Sequence, residues 1–176
     1  MRRQLHVLAA VLLVGSITVV ADVVDRGQNG FTLKTVVEIA APPAQVYRTL
    51  VNPGAWWDKE HTYTGDAKNL SIDARPGGCF CERLPSGGGV EHGRVVNVAP
   101  RSLLRISAAL GPLQELGTAG SLTFQIAESV KGSTVTMTYA VGGYAPGGLE
   151  PLATPVDAVM ARQLQLLKQH MERSGR

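Results

Sequence analysis

The chain has 176 residues, enough for one domain with a sizeable core. With 44% hydrophobic and 18% charged residues it is globular rather than disordered. The net charge of +3 draws two of its charges from Arg2 and Arg3, and no Lys/Arg cluster follows them, which excludes a protein that tracks nucleic-acid phosphates.

Residues 1–21 have the pattern of a secretory signal peptide: Arg2 and Arg3, a mostly apolar run over residues 5–20, and Val19-Val20-Ala21 as a cleavage signal. The rival reading is an uncleaved anchor. The apolar run would span about 24 Å as a helix, short of the roughly 30 Å hydrocarbon core, which favours cleavage. The folded domain is then expected outside the cytoplasm, periplasmic or secreted. Membrane contact would come only through an uncleaved N-terminal segment. Residues 22–30, with Asp22, Asp25 and Gly27-Gln28-Asn29-Gly30, read as a polar linker.

The domain is expected over residues 31–173. Residues 31–40 alternate as a strand with Phe31, Leu33, Val37 and Ile39 on one face. Residues 43–51 form a short helix, broken by Asn52-Pro53-Gly54, and residues 55–60 a second short helix or turn. Strands are expected within residues 65–74 and over residues 79–84, 90–98, 103–109, 121–127 and 134–141, with residues 111–120 a loop. Residues 154–173 carry the longest helical pattern, with Val156, Met160, Leu164, Leu167 and Met171 on one stripe. Thr154 reads as its N-cap, Pro155 as its first residue and Asp157 as a capping acid. The fold class is α+β: a curved antiparallel sheet packed on one face against a long C-terminal helix, with two short helices after the first strand.

Several segments resemble one family. These are IAAPPAQVYRTLVNPGAWW, ARPGG, VNVAPRSLLRI and KGSTVTMTYAVGGY, which together cover nearly all of residues 31–173. The chain is similar to the START-like, birch-pollen-allergen-like (SRPBCC) superfamily of helix-grip proteins, in the branch of polyketide cyclases and heat-shock-protein ATPase activator-like domains. The resemblance implies a cavity between sheet and C-terminal helix that holds a hydrophobic or amphipathic small molecule. It carries over no catalytic motif. Two other functions stay open: a cyclase, dehydratase or hydrolase-like enzyme using polar groups of the same cavity, and a chaperone-like interaction module.

If the 85–89 loop closes a regular hairpin, Glu82 lies opposite His92. Phe80, Glu82, Leu84, Val90, His92, Arg94, Val96 and Val98 then share the inner face. Glu82, His92 and Arg94 are therefore the candidate catalytic residues, with the histidine as a carboxylate-oriented base and the arginine as an anion holder. The rival reading of the three is a self-satisfied ion-pair cluster. Trp56, Trp57, Tyr63, Tyr144 and Met160 join Phe80, Glu82, His92 and Arg94 as candidate ligand-binding residues, with one tryptophan expected in the core.

Cys79 and Cys81 stand roughly 6.5 Å apart on a regular strand, near the upper limit for a disulfide. They read best as two small apolar side chains; a disulfide, or a metal site with His92, are the alternatives. No phosphate loop, dinucleotide fingerprint, G-x-S-x-G or H-E-x-x-H occurs, and no cofactor is expected.

Overall fold

The computed structural model describes residues 20–174. The leader expected over residues 1–21 thus falls almost wholly outside the described residues. The chain runs β1 (Val20–Gly27), β2 (Gly30–Ile39), α1 (Pro43–Leu50), β3 (Leu70–Ile72), β4 (Cys79–Arg83), β5 (Gly89–Ala99), β6 (Leu103–Ser107), β7 (Gly117–Ser129), β8 (Gly132–Tyr144) and α2 (Ala153–Ser174). One eight-stranded sheet has the order β1-β2-β8-β7-β6-β5-β4-β3, with every pair antiparallel. This is the helix-grip architecture.

The alternation that defines the strands also defines the core. In β8, Ser133, Val135, Met137, Tyr139 and Val141 point inward while their neighbours do not. Val135, Met137, Tyr139 and Val141, with Leu33, Val37 and Ile39 of β2, form one core with Met160, Leu164, Leu167 and Met171 of α2. Lys168 holds the far part of the helix to the sheet by donating to the Glu38 carbonyl, and within the helix it pairs with Glu172 at 3.0 Å.

Four elements differ from expectation. Residues 22–30, read as a linker, instead form most of β1 and its turn into β2; the edge of β2 supplies a partner that local composition does not reveal. The second short helix is a pair of 3-10 turns at Pro53–Ala55 and Lys59–His61, because Pro53, Gly54 and the capping side chain of Asp58 keep each turn short. Part of the loop at 111–120 is a 3-10 turn, Gly111–Glu115, followed at once by β7. The C-terminal helix follows directly on a 3-10 turn at Glu150–Leu152, so Thr154 lies inside it rather than at its cap. Asp157 does not cap either: its Oδ1 is buried without a hydrogen-bond partner among the described residues.

Candidate functional site

Two bulges in β5 decide which side chains reach the interior. Phe80 pairs with Gly93 and Cys81 with Glu91, so His92 is an extra residue opposite β4. Both His92 and Gly93 consequently face inward. Beyond that point the alternation is inverted: Arg94 turns outward, where it donates to Glu91 at 2.5 Å and to the Gly77 carbonyl at 3.2 Å. Gly93 is required there, because a Cβ would lie 2.6 Å from the Ser107 carbonyl oxygen and 2.7 Å from the Ala108 Cβ. A second bulge at Val96 restores the phase, which leaves Val96 exposed and Val98 half-buried.

The hairpin register is also displaced, on the turn side of the first bulge. Glu82 pairs with Val90, not with His92. The bulge nevertheless swings the imidazole back, and His92 Nε2 lies 3.0 Å from Glu82 Oε2. The expected trio is thus a pair. Arg94 belongs to the opposite face of the sheet, and neither a catalytic nor a ligand-binding role on the inner face is open to it.

Glu82 is 1% exposed. Its Oε2 accepts from the Tyr63 N–H at 3.0 Å and its Oε1 from the Thr64 N–H at 2.7 Å. Burial pushes the carboxyl up, but the hydrogen bonds from Thr64, Tyr63 and His92 outweigh it and hold its pKa below the usual carboxylate value. An ionised Glu82 only accepts, so His92 Nε2 carries the proton and Nδ1 is a bare lone pair in the neutral ring. Burial pushes the His92 imidazole below its ordinary value, and the Glu82 carboxylate only partly compensates. Nδ1 has no protein partner among the described residues, and His92 is one of the residues lining a cavity.

That cavity measures about 650 Å³. One wall is Trp57, Tyr63, Phe80 and His92; the facing wall is Val156, Val159 and Met160 of α2; the turn from Leu110 to Leu113 closes a third side. Phe80 stacks 5.0 Å from His92 and 5.5 Å from Trp57, centroid to centroid. The loop with Trp57 is tied to the helix because Gln163 Oε1 accepts from the Asp58 N–H at 2.9 Å and Arg162 pairs with Asp58 at 3.3 Å. Tyr139 anchors the third wall: its hydroxyl donates to the Ala108 carbonyl and accepts from the Leu110 N–H, each at 3.1 Å.

The structure places Trp57, Tyr63, Phe80, His92 and Met160 on the cavity, with Glu82 directly behind His92. Trp56 is in the core instead, 4% exposed, its indole N–H donating to the Thr49 carbonyl at 2.9 Å. Tyr144 is 72% exposed and lies off the cavity. The turn that carries Leu110 and Leu113 also lines the cavity, in a segment that the sequence reads only as a loop from residue 111. Its apolar pair beside Pro112 is the signal that marks it as a wall.

Cys79 and Cys81 form a disulfide. Regular strand rise argues against it, yet β4 is contracted to a Cα–Cα distance of 5.4 Å where it crosses the bulge of β5. The cysteines alternate with inward Phe80 and Glu82, so they occupy the outer face, while His92 faces inward. They are neither core side chains nor partners of His92 in a metal site. Among the described residues no three His, Cys, Asp or Glu side chains are placed to hold a metal ion.

The profile of the family described as "Polyketide cyclase / dehydrase and lipid transport" matches residues 30–172. The chain belongs to this family. No curated protein matches it in sequence. Among solved structures it is similar to a protein of Mesorhizobium loti, at 17% identity and TM-score 0.57, over 81% of this chain and 97% of that one. A protein of Rhizobium leguminosarum is similar at 21% identity and TM-score 0.56, over 89% and 99%. CalU16 of Micromonospora echinospora is similar at 14% identity and TM-score 0.56, over 89% and 86%. At these identities the likeness is one of fold. The family and fold make ligand binding plausible in general; the residues on the cavity wall must supply the particulars.

Proposed function

We propose that this family member is a carrier that binds a hydrophobic or amphipathic small molecule between the sheet and α2. The observation that carries this reading is the cavity of about 650 Å³ with aromatic and aliphatic walls. Native mass spectrometry of protein purified without stripping tests it, together with Val156→Trp, which fills the space. Wild type should carry a small molecule at near-unit stoichiometry or take one up. The filled variant should bind at least ~10-fold more weakly at unchanged melting temperature. Equal binding by both would remove the cavity as the site.

The Glu82–His92 contact supports a second reading, a cyclase, dehydratase or hydrolase-like enzyme with His92 as general base. Among the described residues no Ser or Cys lines the cavity, so none of them offers a side-chain nucleophile of those types on its wall. His92→Ala separates the readings. A carrier loses modest affinity, whereas an enzyme that uses the imidazole as base loses about 100-fold or more in rate.

We further propose that the domain works outside the cytoplasm. The leader pattern of residues 1–21 supports this, as does the Cys79–Cys81 disulfide, a bond typical of oxidising compartments. N-terminal sequencing of protein recovered from outside the cytoplasm should begin at Asp22; a chain retaining Met1 in the cytosolic fraction would refute it.

A further inference from the structure

The ionisable groups on the cavity are mostly of one sign. Glu60 and Glu115 line the rim, Glu82 stands behind His92, and among the described residues neither Lys nor Arg lines the cavity. His61 is the other titratable cation-former at the rim, and Lys59 pairs with Glu60 at 3.5 Å where both are well exposed. At depth the polar group offered to a ligand is therefore Nδ1 of His92, a lone pair. The ionised carboxylate on the other side of the ring gives that lone pair a negative background.

A head group seated on Nδ1 must donate. An anionic head would face the lone pair and, through the ring, the Glu82 carboxylate. It could be held only by charging the imidazole, which burial already opposes. An ether or ester head has no proton to give. An O–H would donate to Nδ1 directly, and an N–H of an ammonium would do so while being drawn to Glu82 and to the faces of Trp57, Tyr63 and Phe80.

We infer that the ligand has an apolar body and a single hydrogen-bond-donating head without negative charge, a hydroxyl or an ammonium, seated on Nδ1 of His92. This rests on the carrier reading above and narrows it.

Four probes with the same ring system test it on the intact protein at neutral pH: a naphthol, a naphthylmethylamine, a methoxynaphthalene and a naphthoate. Binding is read by titration calorimetry, with His92→Phe as the variant, since phenylalanine keeps the ring and removes the lone pair. In wild type the naphthol or the amine should bind at least ~10-fold tighter than the ether and the naphthoate. In His92→Phe the advantage should vanish while ether binding persists, which also reports an intact cavity. A naphthol lead assigns a neutral hydroxyl head; an amine lead assigns a cationic one. Ether binding as tight as naphthol and amine, naphthoate binding tightest, or an advantage that survives His92→Phe would each overturn the inference and leave the carrier reading standing. No binding by any of the four, with no molecule retained in native mass spectra, would overturn both.

Discussion

His92 illustrates how one residue inherits its chemistry from its neighbours. Burial depresses its pKa, and the Glu82 carboxylate behind it fixes which nitrogen is free. The consequence for stability has a definite sign. The folded value lies below the ordinary 6.5. On acidification through that value the unfolded chain therefore takes up a proton that the folded chain resists, and stability falls. Glu82, depressed below 4.5, adds a further loss at lower pH as its hydrogen-bonded carboxylate is protonated. Chemical denaturation of wild type and His92→Gln separates the first effect. Between about pH 7 and about pH 5 the variant should lose less stability than wild type; identical slopes would show that His92 is not the group responsible.

At the scale of elements, the cavity depends on how short irregular segments are fastened to regular ones. The turn at Gly111–Glu115 is held by Tyr139 of β8, by Thr118, whose hydroxyl donates to the Leu113 carbonyl, and by Gln114, which donates to the Glu91 carbonyl. Burial raises the Tyr139 hydroxyl to about 12, so it remains a protonated donor. Gly120 makes room for the ring, since a Cβ there would lie 2.8 Å from Tyr139 Cε2. Tyr139→Phe leaves the Ala108 carbonyl and the Leu110 N–H without that partner and should cost about 2 kcal/mol. Hydrogen exchange of residues 108–116 should accelerate selectively, and probe binding should weaken because the third wall loosens. Protection that is unchanged there would mean the turn does not depend on Tyr139. The disulfide acts on a smaller scale. Joining residues two apart, it closes a very short loop and gains little from chain entropy. Its effect is confined to β4, where Phe80 between the two cysteines lines the cavity.

For the whole molecule, the contact that fits least well is the one between α2 and the edge strand β1. Asp157 faces that strand with Oδ1 unpartnered, and its pKa is raised by burial first and by the charge of Asp22 second. A raised carboxyl favours folding while it is protonated, below its ordinary 3.8, and that contribution is lost as pH rises through the folded value. At neutral pH the ionised group is therefore a cost. Asp157→Asn should stabilise by about 1 kcal/mol at neutral pH, roughly 2–4 °C in melting temperature, and the gain should disappear under acid conditions. A gain that persists in acid would point to packing rather than charge.

Much of this architecture is legible in the sequence, because it rests on periodicity. Alternation over residues 31–40, 121–127 and 134–141, and the helical stripe from Val156 to Met171, each bury one face, and burying those faces together leaves few solutions. Half of the site is legible for the same reason: Phe80 and Glu82 alternate with the cysteines, and Met160 lies on the stripe. The rest depends on events that period-two reasoning does not contain. The hairpin turn set Glu82 opposite Val90, and one extra residue in β5 sent Arg94 to the other face, since a bulge inverts the side chains that follow it. The contraction of β4 beside that bulge brought Cys79 and Cys81 within bonding distance. The N-terminal strand took its place because β2 offered an open edge, a partner that the polar residues 22–30 do not announce. The sequence by itself determined the periodic faces and the core they form; the tertiary structure decided which polar side chains that core encloses, because a single inserted residue reverses a face at no cost in composition.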